Sequence, residues 1–114
     1  MPYHEFGIMK SFDKSKEYCI YEPEKYNCIS ISDDNVHKIA KNLRQMSSYY
    51  HSYTNENYGL AYYGITIIPP NSVLIFQKAI VENEINSVNS EFDQLLLILN
   101  NAIKHDKHII HFGI

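Results

Sequence analysis

Two consecutive prolines, Pro69 and Pro70, divide the most apolar part of the chain into two elements. Upstream, residues 60–68 read LAYYGITII, with Leu60, Tyr62, Thr66 and Ile68 alternating against Ala61, Tyr63, Ile65 and Ile67. A strand apolar on both faces belongs inside a sheet rather than at its margin. Gly64 in its middle implies a bulge or the close approach of another backbone. Pro69 stops the strand. Pro70 suits the first turn of a helix, where the missing amide hydrogen costs nothing. That helix is expected to reach about Asn83 and, being apolar on most sides, to need cover. The rest of the chain has to provide it.

Residues 3–12, YHEFGIMKSF, read as a short strand or a strand with a glycine kink at Gly7, and residues 13–25 as an irregular charged loop broken by Pro23. Residues 26–32, YNCISIS, alternate, with Ile29 and Ile31 on one face and Cys28 and Ser30 on the other. Ser32 or Asp33 caps a first helix whose stripe of Val36, Ile39, Ala40, Leu43 and Met46 predicts an end near residues 48–50. Residues 51–58 read as a polar loop and residues 84–89 as a connection. Ser90 with Asp93 resembles a capping box for a third helix carrying Phe92, Leu95, Leu96, Leu99, Ala102 and Ile103. A strand closes the chain at residues 108–114, and the likeness of EFGI (5–8) to HFGI (111–114) places both ends in one sheet. The expectation is one α+β domain over residues 1–114. It has two layers, a mainly antiparallel four-stranded sheet with about three helices, in the order β-β-α-β-α-α-β.

Composition excludes more than it assigns. At 114 residues the chain can bury roughly two-thirds of its unfolded surface in one core. With 45% hydrophobic and 20% charged residues it is no disordered segment. A formal charge of −3 gives no general attraction to nucleic acid or anionic lipid. The longest apolar run, residues 95–99, is far below the roughly 20 residues that span a bilayer. The first residues, MPYHEFGIMK, lack the apolar stretch of a signal peptide, so a cytoplasmic location is expected. Cys19 and Cys28 are too few for a disulfide framework or a zinc knuckle and read as reduced thiols.

Candidate chemistry is sparse. YEPEK, residues 21–25, has the Tyr-x3-Lys spacing of short-chain dehydrogenases, but Pro23 breaks the helix that spacing needs and no glycine-rich dinucleotide loop precedes it. His105, His108 and His111 are three apart but cross a helix-to-strand boundary, so they are expected to scatter rather than hold a metal. His111, inside the terminal strand, needs a partner if buried. Asp33 and Asp34 point in different directions from a helix start, where capping and the helix dipole account for them. No catalytic residue, cofactor or metal is expected.

The distinctive number is ten tyrosines without a tryptophan, nine of them within residues 18–63. Acidic side chains interleave with several. Glu17, Tyr18, Tyr21, Glu22, Glu24, Asp33 and Asp34 therefore form a candidate protein-binding set, in which carboxylates steer a basic partner and aromatics anchor it. An alternative is a small-molecule pocket or enzyme site lined by Tyr49, His51, Tyr53, Tyr62 and His111. A self-associating module closing a homodimer through an exposed sheet face is a third.

YHEFGI near the start, YEPEKYNCISISDD, GLAYYGITIIPP and the closing IHFGI together resemble a family of small bacterial proteins that carries no assigned activity. That resemblance covers most of the chain and implies one shared domain, with no catalytic residues to transfer. In size and mild acidity the chain is also similar, as a class rather than by motif, to the immunity partners of bacterial toxins. The leading expectation is thus a non-enzymatic protein-binding domain, an immunity-type inhibitor of a basic toxin domain, without nucleic-acid or membrane partners.

Overall fold

Pro69 ends a strand and Pro70 opens a helix in the computed structural model, which describes residues 2–83 and 89–114. The strands are β1 (Tyr3–Met9), β2 (Ile29–Ser32), β3 (Ser47–Tyr50), β4 (Glu56–Tyr58), β5 (Ile65–Ile68) and β6 (His108–Phe112). The helices are α1 (Asp33–Ala40), α2 (Pro70–Asn83) and α3 (Ser90–His105). One sheet holds all the strands in the order β2-β1-β6-β5-β3-β4, and every neighbouring pair is antiparallel. The two chain ends are neighbours, with Phe6 opposite His111 and Gly7 opposite Ile110. Strand β5 lies between β6 and β3, inside the sheet. The connection expected over residues 84–89 falls outside the described residues except for Asn89.

The sheet has six strands rather than the four expected. Helix α1 stops at Ala40 and tightens into a 3-10 turn, Lys41–Leu43, instead of running on to residues 48–50. Ser47 and Ser48 followed by Tyr49 and Tyr50 make a poor helix end and a good strand. They pair with both β4 and β5, and the region expected to be a polar loop becomes the far leg of a hairpin. The central strand is also shorter than its apolar run. Residues 60–64 turn away because Gly64 takes φ +93°, and a side chain there would meet the His51 ring at 2.8 Å. The group close to Gly64 is that imidazole, a side chain rather than the backbone expected.

Residues on alternate sides of the sheet enter two cores. Phe6, Ile31, Ile68 and Ile109 face the helices and pack on Val36, Ile39, Val73, Phe76, Phe92 and Leu99. Met9, Ile65, Ile67, Ile110 and Phe112 face the other way, where Tyr18 covers them with help from Phe12, Tyr26 and Tyr49. That second cover is the irregular segment 10–28. Gly7 lets it come close, without the expected kink: a side chain at Gly7 would sit 2.7 Å from Cys28 Sγ and from the Tyr26 carbonyl. Strand β1 runs through Gly7 unbroken.

The starts of α1 and α3 are tied together. Ser32 caps α1, its Oγ accepting from the Asn35 amide at 3.4 Å. Glu91 Oε1 accepts from the Ser32 amide, the Ser32 hydroxyl and Asn35 Nδ2 at 2.9, 3.0 and 2.6 Å. Asn89, not Ser90, caps α3, its Oδ1 accepting from the Glu91 and Phe92 amides, while its Nδ2 donates to Asn35 Oδ1. A carboxylate at a helix N-terminus is favoured by the helix dipole. The hydrogen bonds from Ser32 and Asn35 outweigh burial and hold the Glu91 carboxyl below its ordinary range.

Candidate functional site

Three fully buried polar side chains stand in a row on the helix-facing side of the sheet: His4 on β1, Thr66 on β5 and His111 on β6. Each is fully buried, so each needs partners. Thr66 Oγ1 accepts from the Ala61 amide at 2.8 Å and lies 3.1 Å from His111 Nδ1. His111 Nε2 lies 2.8 Å from His4 Nδ1, and His4 Nε2 lies 2.8 Å from Asp33 Oδ1. A carboxylate only accepts, so His4 donates from Nε2. One direction then satisfies the whole chain: Thr66 donates to His111, His111 to His4, and His4 to Asp33. Neither ring needs a second proton. Burial drives the His111 imidazole well below its ordinary pKa, and the neighbouring His4 adds to the effect.

Asp33 carries this buried row to the surface. Its side chain is 13% exposed, and its Oδ2 accepts from the Tyr62 hydroxyl at 3.0 Å and faces His37 Nε2 at 3.2 Å. The His4 hydrogen bond holds the Asp33 carboxyl below the usual carboxylate range against its loss of water, with Tyr62 and His37 adding to the effect. Desolvation first and Asp33 second push the Tyr62 hydroxyl up. A cleft of about 310 Å³ opens beside them, lined among others by His37, Arg44, Tyr58, Leu60 and Tyr62. Chemically the row is a polar clamp joining β1, β5, β6 and α1. The Thr66 hydroxyl is sealed from solvent and committed to His111, so it is not poised as a nucleophile.

The acidic and tyrosine residues of the candidate binding set are not gathered on one surface. Tyr18 is buried in the second core, and its hydroxyl accepts from the Asp13 amide at 3.1 Å. Glu17, Glu24 and Asp34 are exposed, and Glu22 pairs with Lys25 at 3.8 Å. Tyr21 is 63% exposed, stands edge-on to Phe112 and donates to Glu5, which pushes its hydroxyl pKa up to about 12. Asp33 serves the buried row instead.

A different group of aromatics does share one end of the sheet. Tyr3 opens β1, Ile114 follows β6, and Tyr62 and Tyr63 precede β5, which antiparallel pairing brings to the same end. Tyr3 is 51% and Tyr63 72% exposed, and Tyr62 and Ile114 are exposed beside them. The Ile114 amide donates to the Tyr62 carbonyl at 2.9 Å, and the Tyr62 and Tyr63 rings meet edge-to-face at 4.8 Å. Tyr3, Tyr21 and Ile114 rim an open cleft of about 500 Å³ that also reaches Glu5. Asp33 and Asp34, following the end of β2 opposite Tyr3, add carboxylates to this end.

The five residues of the alternative pocket divide between the two faces. Tyr49 and Tyr53 pack at 4.1 Å away from the helices, where the Tyr53 hydroxyl meets His108 Nε2 at 3.1 Å. His51, at φ +69°, donates from Nδ1 to the Tyr18 carbonyl at 3.0 Å and fastens the covering segment. Tyr62 and His111 alone belong to the Asp33 row. His105, His108 and His111 scatter as expected, and among the described residues no group of three or more His, Cys, Asp or Glu could hold a metal ion. No helix of the described residues is long and apolar enough to cross a membrane.

His4 and Thr66 were not singled out from the sequence. The signal was present: aligning EFGI with HFGI as antiparallel neighbours puts His4, two before Phe6, on the same face as His111. Compared with known proteins, the chain matches no family model, no curated protein and no solved structure.

Proposed function

We propose that this chain is a non-enzymatic protein-binding domain of the immunity-inhibitor kind, which docks a basic protein surface on the tyrosine-bearing end of its sheet. One observation carries the reading: Tyr3, Tyr21, Tyr62, Tyr63 and Ile114 are all exposed at one end of the sheet, where Tyr21 meets Glu5 and Tyr62 meets Asp33. Tyrosine supplies large contact area with few rotors. Two of these hydroxyls are already fixed to carboxylates, Tyr21 to Glu5 and Tyr62 to Asp33, so less side-chain freedom is lost on docking. The carboxylates favour a cationic partner and speed its approach. The reading carries with it a cytoplasmic location and kinship with the small bacterial proteins that the sequence resembles.

The test is calorimetric titration of the purified chain against the basic protein domain that it captures from its source cell. Tyr21→Ala with Tyr63→Ala should weaken that complex about thirtyfold or more, the loss expected for interface anchors. Glu5→Lys with Asp34→Lys should flatten its salt dependence. Tyr21, Tyr63 and Asp34 are exposed and Glu5 is half-buried, and a thermal melt of each free variant checks that it folds. Unchanged affinity in both would overturn the reading. So would a complex that forms only between copies of this chain.

A further inference from the structure

A cleft of about 850 Å³ lies at the other end of the sheet, between the end of β1, the last turns of α3 and the covering segment. Lys10, Lys16, Lys25 and Lys107 line it together with His105. These are four of the ten Lys and Arg residues of a chain whose formal charge is −3, so the cleft is locally basic on an acidic chain. The walls between the ammonium groups are apolar, from Ile8, Tyr26 and Ile98, while Asn27 and Asn101 add amide groups. We infer that this cleft binds a small organic phosphate, its phosphoryl oxygens held by the lysines and its apolar or planar body lying against Ile8, Tyr26 and Ile98.

Three features favour an anion over an empty solvated rim. Lys107 Nζ donates to the Lys10 carbonyl at 2.9 Å, which fixes one ammonium at the wall with two donors still to place. Asp13, the one carboxylate in the lining, is turned into its own loop, where Oδ1 accepts from the Ser15 amide and hydroxyl at 2.9 and 2.6 Å. The negative end of the α3 dipole is worth about half a charge, against four ammonium groups. The Ala102 and Ile103 carbonyls there are already taken by the Asp106 and Lys107 amides. Lys25 is shared with Glu22 at 3.8 Å, but an exposed pair of that kind holds it only weakly.

Shape and charge together decide the class of ligand. The volume falls within the roughly 300–1,000 Å³ of small-molecule sites. A nucleic acid would need a basic track extending beyond the cleft, and this chain is acidic at the opposite end of its sheet. The cleft is lined by different residues from the proposed docking surface, and the inference does not rest on that reading.

Calorimetric titration with ATP, pyrophosphate and adenosine tests the assignment. ATP should bind saturably and pyrophosphate more weakly, because it lacks the body. Adenosine should bind at least about tenfold more weakly than ATP, since one charge-assisted hydrogen bond is worth about that factor. Lys10→Gln with Lys16→Gln should weaken ATP about tenfold or more. Lys78→Gln, on α2 outside the cleft, should leave it unchanged. Both lysines are exposed, and an unaltered melting curve of the double variant without ligand confirms its fold. No saturable binding of either phosphate probe would overturn the inference, as would ATP affinity that survives the double substitution. Duplex DNA binding more tightly than ATP would overturn it too, in favour of a polyanion surface.

Discussion

The two faces of the sheet are buried by different means. On one, three helices bring large side chains onto Phe6, Ile31, Ile68 and Ile109, with the Asp33–His4–His111–Thr66 row running through the apolar packing. On the other, an irregular segment lays Phe12, Tyr18 and Tyr26 over Met9, Ile67, Ile110 and Phe112, and single hydrogen bonds such as that from His51 to Tyr18 hold it down. Helices bury by repetition, so many side chains share the load. A strap buries through a few aromatic contacts and loses much when one of them goes. The helical face should therefore set global stability, and the strapped face should open first.

That contrast breaks most visibly in the core. Phe76→Ala removes a fully buried ring packed edge-to-face on Phe6 at 5.5 Å and should cost about 3–5 kcal/mol in urea unfolding. Phe12→Ala, on the strap and only partly buried, should cost less than half of that. Equal losses would mean that the two covers are energetically alike.

A second comparison uses one imidazole from each face. Burial depresses both His111 and His108 from 6.5, His111 far more. The unfolded chain therefore takes up protons near that pH that the folded chain refuses. Stability is fully present above about 6.5 and falls as pH drops below it, by at most about 1.4 kcal/mol per pH unit for each proton. His111→Gln should remove most of this acid limb in urea unfolding followed across pH, and His108→Gln only a small part. Asp33 acts in a separate window: its lowered carboxyl contributes above the unfolded value near 3.8 and is lost only as pH falls through its folded value.

The smallest effect concerns the strap alone. Tyr18→Phe removes the acceptor for the Asp13 amide and should cost about 0.5–1.5 kcal/mol. Cys28 lies beneath the strap, its thiol pushed up to about 12 by burial first and by Glu5 and Glu24 after it. Labelling of Cys28 by a thiol reagent should accelerate in Tyr18→Phe, while that of exposed Cys19 stays constant. A Cys28 rate that does not change would show that Tyr18 does not secure the strap.

The same division explains what could be read from the residues alone. Helix α2 and β2 were legible because Pro69-Pro70 and the alternation of Ile29 and Ile31 are local signals. The β3–β4 hairpin was not, because β4 is an edge strand of Glu56, Asn57 and Tyr58 with no buried face to impose a pattern. Tyr18 and Tyr21, three positions apart in an irregular segment, gave no sign that one would be buried and the other exposed. His111 stood out as a buried imidazole in want of a partner. The partner proved to be His4, 107 positions away, and only strand pairing brings the two together.

The place of β6 between β1 and β5 also bears on how the molecule is made. Of the six strands, a ribosome delivers β1 first and the one that must sit beside it last. The α2–α3 pair can associate early, yet the nascent sheet stays split until residues 108–112 have left the exit tunnel. Until then the inner edges of β1 and β5 have no partner, and the two imidazoles that end up sealed together are still in water. Deletion of residues 108–112 would therefore remove the middle of this sheet and leave its rim intact.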